Sequence, residues 1–136
     1  MVRLIMSGSG EGKTKQLIEL MNSAAESEVG CMVCIEPKRN MSFNLRHQTR
    51  MVDASEFDIG SFESLQGFIS GLYAGNYDIS HIFIDNLCKI AHSTDERAIG
   101  AFLNWLDKFS SPIGLKATIT ISADPENATD TMRKYM

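Results

Sequence analysis

Hydrophobic positions along this chain switch repeatedly between two spacings. Residues 2–6 (Val-Arg-Leu-Ile-Met) form a short apolar run suited to a buried strand. Over residues 13–28, Leu17, Leu20, Met21, Ala24 and Ala25 recur at helical intervals, and Gly30 supplies a stop. Residues 31–35 read as a second strand closed by Glu36-Pro37, and residues 50–53 as a short edge strand beyond a polar stretch without a period. Ser61 is placed to cap a helix whose Phe62, Leu65, Phe68, Ile69 and Leu72 share one face, with Gly75-Asn76 at its end. Residues 80–85 (Ser-His-Ile-Phe-Ile-Asp) predict another strand. Ser93-Thr-Asp-Glu96 reads as a capping box before a stripe of Ile99, Phe102, Leu103, Leu106 and Phe109, broken by Pro112 and Gly114. Ala117, Ile119 and Ile121 alternate with Thr118 and Thr120 in a last strand. The polar residues from 124 onward are expected as a loop or a short terminal helix.

Strands alternating with helices imply βαβ units, hence an α/β fold: a three-layer α/β/α sandwich around a mainly parallel sheet. A length of 136 residues with no repeat or linker predicts one domain, 1–136. In such sheets ligands sit beyond the carboxyl ends of the strands, so residues that carry chemistry are expected there.

Composition narrows the function. Apolar residues make up 43% and charged residues 22%, ordinary for a chain with one buried core. Thirteen Lys+Arg against 17 Asp+Glu give a net charge of −4, which disfavours nucleic-acid binding because such affinity comes mostly from cationic contacts to phosphate. No apolar run approaches the ~20 residues needed to cross a bilayer. An odd count of three cysteines does not suit a secreted disulfide framework, and the expectation is a cytoplasmic protein. Cys31 and Cys34 have CxxC spacing, but strand residues three apart point to opposite faces and only Cys88 remains, so neither a zinc nor a redox site is expected. His81 and His92 have no partners at a recognisable spacing, and no nucleophilic triad is assigned. The basic stretch Lys38, Arg39, Arg46, His47 and Arg50 follows a strand's carboxyl end and is placed to reach a nucleotide, an acidic partner or a nucleic acid, although a solvated loop is the commoner reading. Nothing selects an arginine finger among Arg39, Arg46, Arg97 and Arg133. Trp105, at helical spacing, reads as a packing or partly exposed residue.

Directly after the first strand stands Ser7-Gly-Ser-Gly-Glu-Gly-Lys-Thr14, and a helix begins there. This looks like a Walker A loop, G-x-x-x-x-G-K-[ST], with Ser7 in place of the first glycine. Gly8, Ser9, Gly10, Glu11 and Gly12 would turn backbone N–H groups toward phosphate oxygens, and the helix start adds unpaired donors and partial positive charge. Lys13 would neutralise the outer phosphates, with Lys15 close behind, and the Thr14 hydroxyl would ligate Mg²⁺. Glu11 is expected to point to solvent. Residues 82–85 (Ile-Phe-Ile-Asp) have the form of a Walker B strand, with Asp85 supporting Mg²⁺. The next residue, Asn86, cannot serve as a base, whereas Glu36 and Asp124 end neighbouring strands.

On these residues the chain resembles a P-loop NTPase of the RecA-like division, with a core similar to those of RecA-type ATPases and type II thymidine kinases. The resemblance implies an extra strand between the Walker A and Walker B strands, ATP with Mg²⁺ as ligands, and Glu36 as the candidate general base; the residues alone suit Glu36 equally to an exposed turn before Pro37. It implies that Ser122 lies beside the outermost phosphate. ATP is preferred over GTP by this similarity, since no N-K-x-D motif is present. The expected function is a small ATP-binding protein with slow Mg²⁺-dependent hydrolysis. Alternatives are a nucleoside kinase, opposed by Asn86 and by the short stretch after the last strand, and a non-hydrolysing switch or assembly module. Self-association, or a protein partner, is expected by analogy.

Overall fold

The computed structural model describes residues 1–8, 12–39 and 49–136, with Lys13 described by its backbone. Five strands form one all-parallel sheet: β1 Val2–Ser7, β2 Cys31–Glu36, β3 Thr49–Asp53, β4 Ile79–Ile84 and β5 Lys116–Ser122, in the spatial order β1-β5-β4-β2-β3. The predicted edge strand is thus real, and β5 separates β1 from β4 as the resemblance implied. Helices α1 Lys13–Ser27, α2 Phe62–Gly75, α3 Leu87–Ala91, α4 Glu96–Ser110 and α5 Asp130–Arg133 cover the sheet.

Alternation along the strands divides the helices between two faces. Leu17 and Met21 of α1 pack on Met32, Cys34 and Phe83, forming a small cluster on one side. A much larger cluster on the other side joins Leu4, Met6, Val33, Ile35, Ile82, Ile84, Ile119 and Ile121 to α2, α3 and α4. Helix α1 is therefore held by the smaller cluster, which its partly buried Ile18, Leu20, Ala24 and Ala25 extend toward its far end, where the turn into β2 also comes close to β4. Gly30 permits that approach: a Cβ there would lie 2.5 Å from the Asp78 carbonyl oxygen and 2.7 Å from Ser80 Cβ, so only glycine lets the turn between α1 and β2 lie this close to β4.

Two expectations need correction. The cap of α4 is Asp95, whose side chain accepts from the Arg97 N–H at 3.1 Å; Ser93, two residues earlier, instead accepts from the Asp95 N–H. An ionised carboxylate at the true helix start outcompetes the hydroxyl, and also complements the helix dipole. Helix α3 was not predicted at all, because five residues are too few to show a period. Ser61 does cap α2, in reciprocal bonds with Ser64. Beyond β5 the chain forms α5 and buries Ala128 and Met132. Its Tyr135 carbonyl accepts the Leu4 N–H at 2.7 Å on the outer side of β1, an edge strand. Trp105 is half-buried and stacks on Phe109, a packing role. Among the described residues no helix is long and apolar enough to cross a membrane.

Candidate functional site

The candidate phosphate loop leaves the carboxyl end of β1. Ser9, Gly10 and Glu11 lie outside the described residues, as do Arg46 and His47. Gly8 follows Ser7, and Gly12 precedes α1 with φ 75°, a left-handed conformation natural to glycine. The Gly12 carbonyl accepts the Gln16 N–H at 3.0 Å, and among the described residues no side chain caps the helix start. The first amides of α1, from Lys13 onward, are thus arranged as an anion site would require. Ser7 faces Ser122 across the β1–β5 register, and among the described residues its buried Oγ has no hydrogen-bond partner. An unsatisfied hydroxyl donor here fits a phosphate oxygen, since leaving such a group unpaired costs about 1–3 kcal/mol.

Thr14, Pro37, Lys38, Asp85, Asn86 and Lys89 line one cleft of about 140 Å³. Residues far apart in the chain therefore meet at the carboxyl ends of β2 and β4 beside the start of α1. Lys38, from the basic stretch, and Lys89, which no motif selects, add two cations to this cleft. Lys89 was reachable only through α3, the helix that periodicity missed. Lys15 is exposed one residue past Thr14.

Glu36 ends β2, one place beyond the Ile35↔Ile84 pair, and the Asp85 N–H donates to the Ile35 carbonyl at 2.9 Å. Cys34 and Phe83 belong to the cluster beneath α1, so two-residue alternation puts Glu36 and Asp85 on that same face. Glu36 is 1% exposed, which excludes the alternative of a solvated turn residue. The thiol of Cys34 reports the field nearby: burial, then the charges of Asp85 and Glu36, push its pKa well above the ordinary value. Cys34 is accordingly a neutral core group, and Cys31 is exposed, as strand alternation required.

Thr120 of β5 fixes the Asp85 end. Its hydroxyl accepts from the Asn86 N–H at 2.8 Å and donates to Asp85 Oδ1 at 3.0 Å. Asn86 itself is left-handed, with φ 58°. Ser122, two residues on, is exposed at the strand end, and Asp124 caps a short 3-10 turn by accepting from the Glu126 N–H. Arg39 donates its backbone N–H to Asp53; Arg97 lies on α4 and Arg133 on α5, where it pairs with Asp130. Arg50 lies in β3, so it is not part of a loop.

These groups suit Mg²⁺, a hard cation that takes few protein oxygens and keeps much of its water. Thr14 and Asp85 supply a hydroxyl and a carboxylate in one cleft. No group of three or more His, Cys, Asp or Glu that could enclose a metal exists among the described residues.

A second polar cluster lies on the α1 face. Glu28 accepts from Lys116 at 2.9 Å and from Ser80 at 2.9 Å, and lies 3.0 Å from His81 Nδ1; His81 Nε2 is 2.8 Å from Thr118 Oγ1. The carboxylate–imidazole–hydroxyl line is present after all, but its histidine is buried and stacked on Phe83. Burial lowers the His81 pKa against the opposing pull of Glu28, while Lys116 and the chain amino group add to the lowering. Neutral His81 then donates from Nδ1 to Glu28 and accepts from Thr118 at Nε2. Burial would raise the Glu28 pKa, but hydrogen bonds from Lys116, His81 and Ser80 outweigh it and hold the carboxyl below its usual value.

Both shifts favour the form present at higher pH. Stability should therefore fall as His81 protonates in the unfolded chain below about pH 6.5, and again as acid reaches the folded pKa of Glu28. Melting midpoints measured at a series of pH values should drop less steeply between about pH 7 and 5.5 in His81→Gln. Equal slopes in the two proteins would contradict this account of His81.

No protein-family model matches the chain, and no curated protein matches it in sequence. In fold it is similar to the crystal structure of a KaiC-like protein from the hyperthermophilic archaeon Pyrococcus horikoshii OT3. The two are 17% identical with a TM-score of 0.68, over 98% of this chain and 68% of that one. The five-stranded parallel sheet flanked by helices is thus the fold of that KaiC-like protein.

Proposed function

We propose that the chain binds ATP with Mg²⁺ at the carboxyl ends of β1, β4 and β2 and hydrolyses it slowly. The observation that carries this reading is the convergence of Thr14 and Asp85 in one cleft at the start of α1, the helix that follows the glycine-rich stretch in sequence. Lys13, Gly8, Ser9, Gly10, Glu11, Gly12 and Lys15 would form the phosphate-binding stretch. Mg²⁺, held by Thr14 and through water by Asp85, would neutralise charge on the phosphates. Lys38 and Lys89 would add cationic support at the cleft. The buried Glu36 carboxylate, beside Asp85, would accept a proton from the attacking water.

Thermal melting with ATP, ADP and GTP, each with and without Mg²⁺, tests binding directly, since a ligand of the native state raises the midpoint. No shift with any nucleotide would overturn the reading. Glu36→Gln is expected to slow phosphate release by about 10²- to 10⁴-fold while keeping ATP affinity, as loss of a general base does. Equal rates would remove Glu36 from the reaction. Asn86, held by its backbone directly after Asp85, favours a second reading, a switch that binds without turnover. Background-level phosphate release from a wild type that binds ATP would select it.

A further inference from the structure

We propose that Thr120 is a positioning residue that sets the Asp85 carboxylate for Mg²⁺; this rests on the nucleotide reading above. The argument is one of hydrogen-bond direction. A threonine hydroxyl has a single proton. The Asn86 N–H donates to Thr120 Oγ1 at 2.8 Å, so that bond uses an oxygen lone pair and leaves the proton for Asp85 Oδ1, 3.0 Å away. Asp85 is an acceptor in this bond, the role of an ionised carboxylate, and its rotation is restrained from a neighbouring strand.

The surroundings make the restraint rigid. Thr120 is fully buried, in the middle of the sheet between β1 and β4. Its other partner, Asn86, starts α3 from a left-handed conformation, so one hydroxyl fixes both the carboxylate and the turn that carries it. The same helix brings Lys89 to the cleft. Thr120 touches neither nucleotide nor metal in this scheme; it acts through Asp85, as groups behind a metal ligand orient it and tune its affinity. Threonine is also the alternating polar residue on the α1 face of β5, and the sequence alone gives it no more weight than Thr118.

The test measures metal dependence rather than turnover. A fluorescent ADP analogue is titrated onto the full chain in EDTA and then at increasing Mg²⁺, for wild type, Thr120→Val, Thr120→Ala and Thr120→Ser. Without the hydroxyl, the Mg²⁺ concentration giving half its effect on nucleotide affinity should rise about tenfold or more, the usual cost of losing such a support. Affinity in EDTA should stay within about twofold in all four proteins, and serine should restore the wild-type Mg²⁺ dependence. Ala carries the comparison if Val does not fold, and Ser tests retention by the hydroxyl alone. Equal losses with and without Mg²⁺, an unchanged Mg²⁺ dependence, or failure of serine to rescue would overturn the positioning role while leaving nucleotide binding intact. A wild type that binds no nucleotide would overturn both.

Discussion

Lys13→Ala is expected to weaken ATP binding by about tenfold to a hundredfold, the range for losing a charge-assisted bond to phosphate. Lys13 is the first residue of α1, directly after left-handed Gly12. A lysine here would bring a compact positive charge to the place where the helix amides already favour an anion. Alanine is the best helix former, so the unliganded protein should melt at about the wild-type temperature. Calorimetric titration with ATP and Mg²⁺ checks the first point and a melting curve without ligand the second. An unchanged dissociation constant would mean that nucleotide, if bound, is held elsewhere.

Phe83→Ala should cost about 3–5 kcal/mol of stability, as large aromatic truncations in a closed core do. Phe83 is fully buried in the small cluster that joins α1 to the sheet, with His81 stacked on it at 4.0 Å. On the opposite face many side chains could close around a void. Here Leu17, Met21, Met32 and Cys34 are the buried neighbours, and they offer little to collapse inward. Urea denaturation measures the loss directly. A change under 1 kcal/mol, with an unaltered slope against urea, would show that α1 is held mainly by other groups. Because α1 starts at the proposed phosphate loop, the same substitution should also lower nucleotide affinity.

Much of this arrangement was legible in the amino-acid order because strand and helix periods are local. The run before Ser7, the alternation of Ala117, Ile119 and Ile121, and even the brief edge strand β3 announce themselves within five to seven residues. The rule that strands deliver chemistry to their carboxyl ends then placed Thr14, Glu36 and Asp85 in one region. What stayed hidden depends on register and distance in the chain. His81 finds Glu28 and Thr118 at separations of 53 and 37 residues, with no spacing that could have signalled it. Lys89 depended on a helix too short to show a face. Glu36 next to proline is equally suited to a surface turn in the sequence, and its burial follows from the interior position of β2, between β4 and β3.

The bond from Leu4 to the Tyr135 carbonyl has a consequence for how these molecules behave in a crowd. An outermost strand with free peptide groups is a template on which another chain can add itself, the first step of sticking edge to edge. Here that amide is occupied by a turn whose own amides are tied back to Thr129, Thr131, Met132 and Arg133, so it cannot extend the ladder. The last turn thus blunts the growing side of the sheet at β1 and works as a guard against unwanted strand addition.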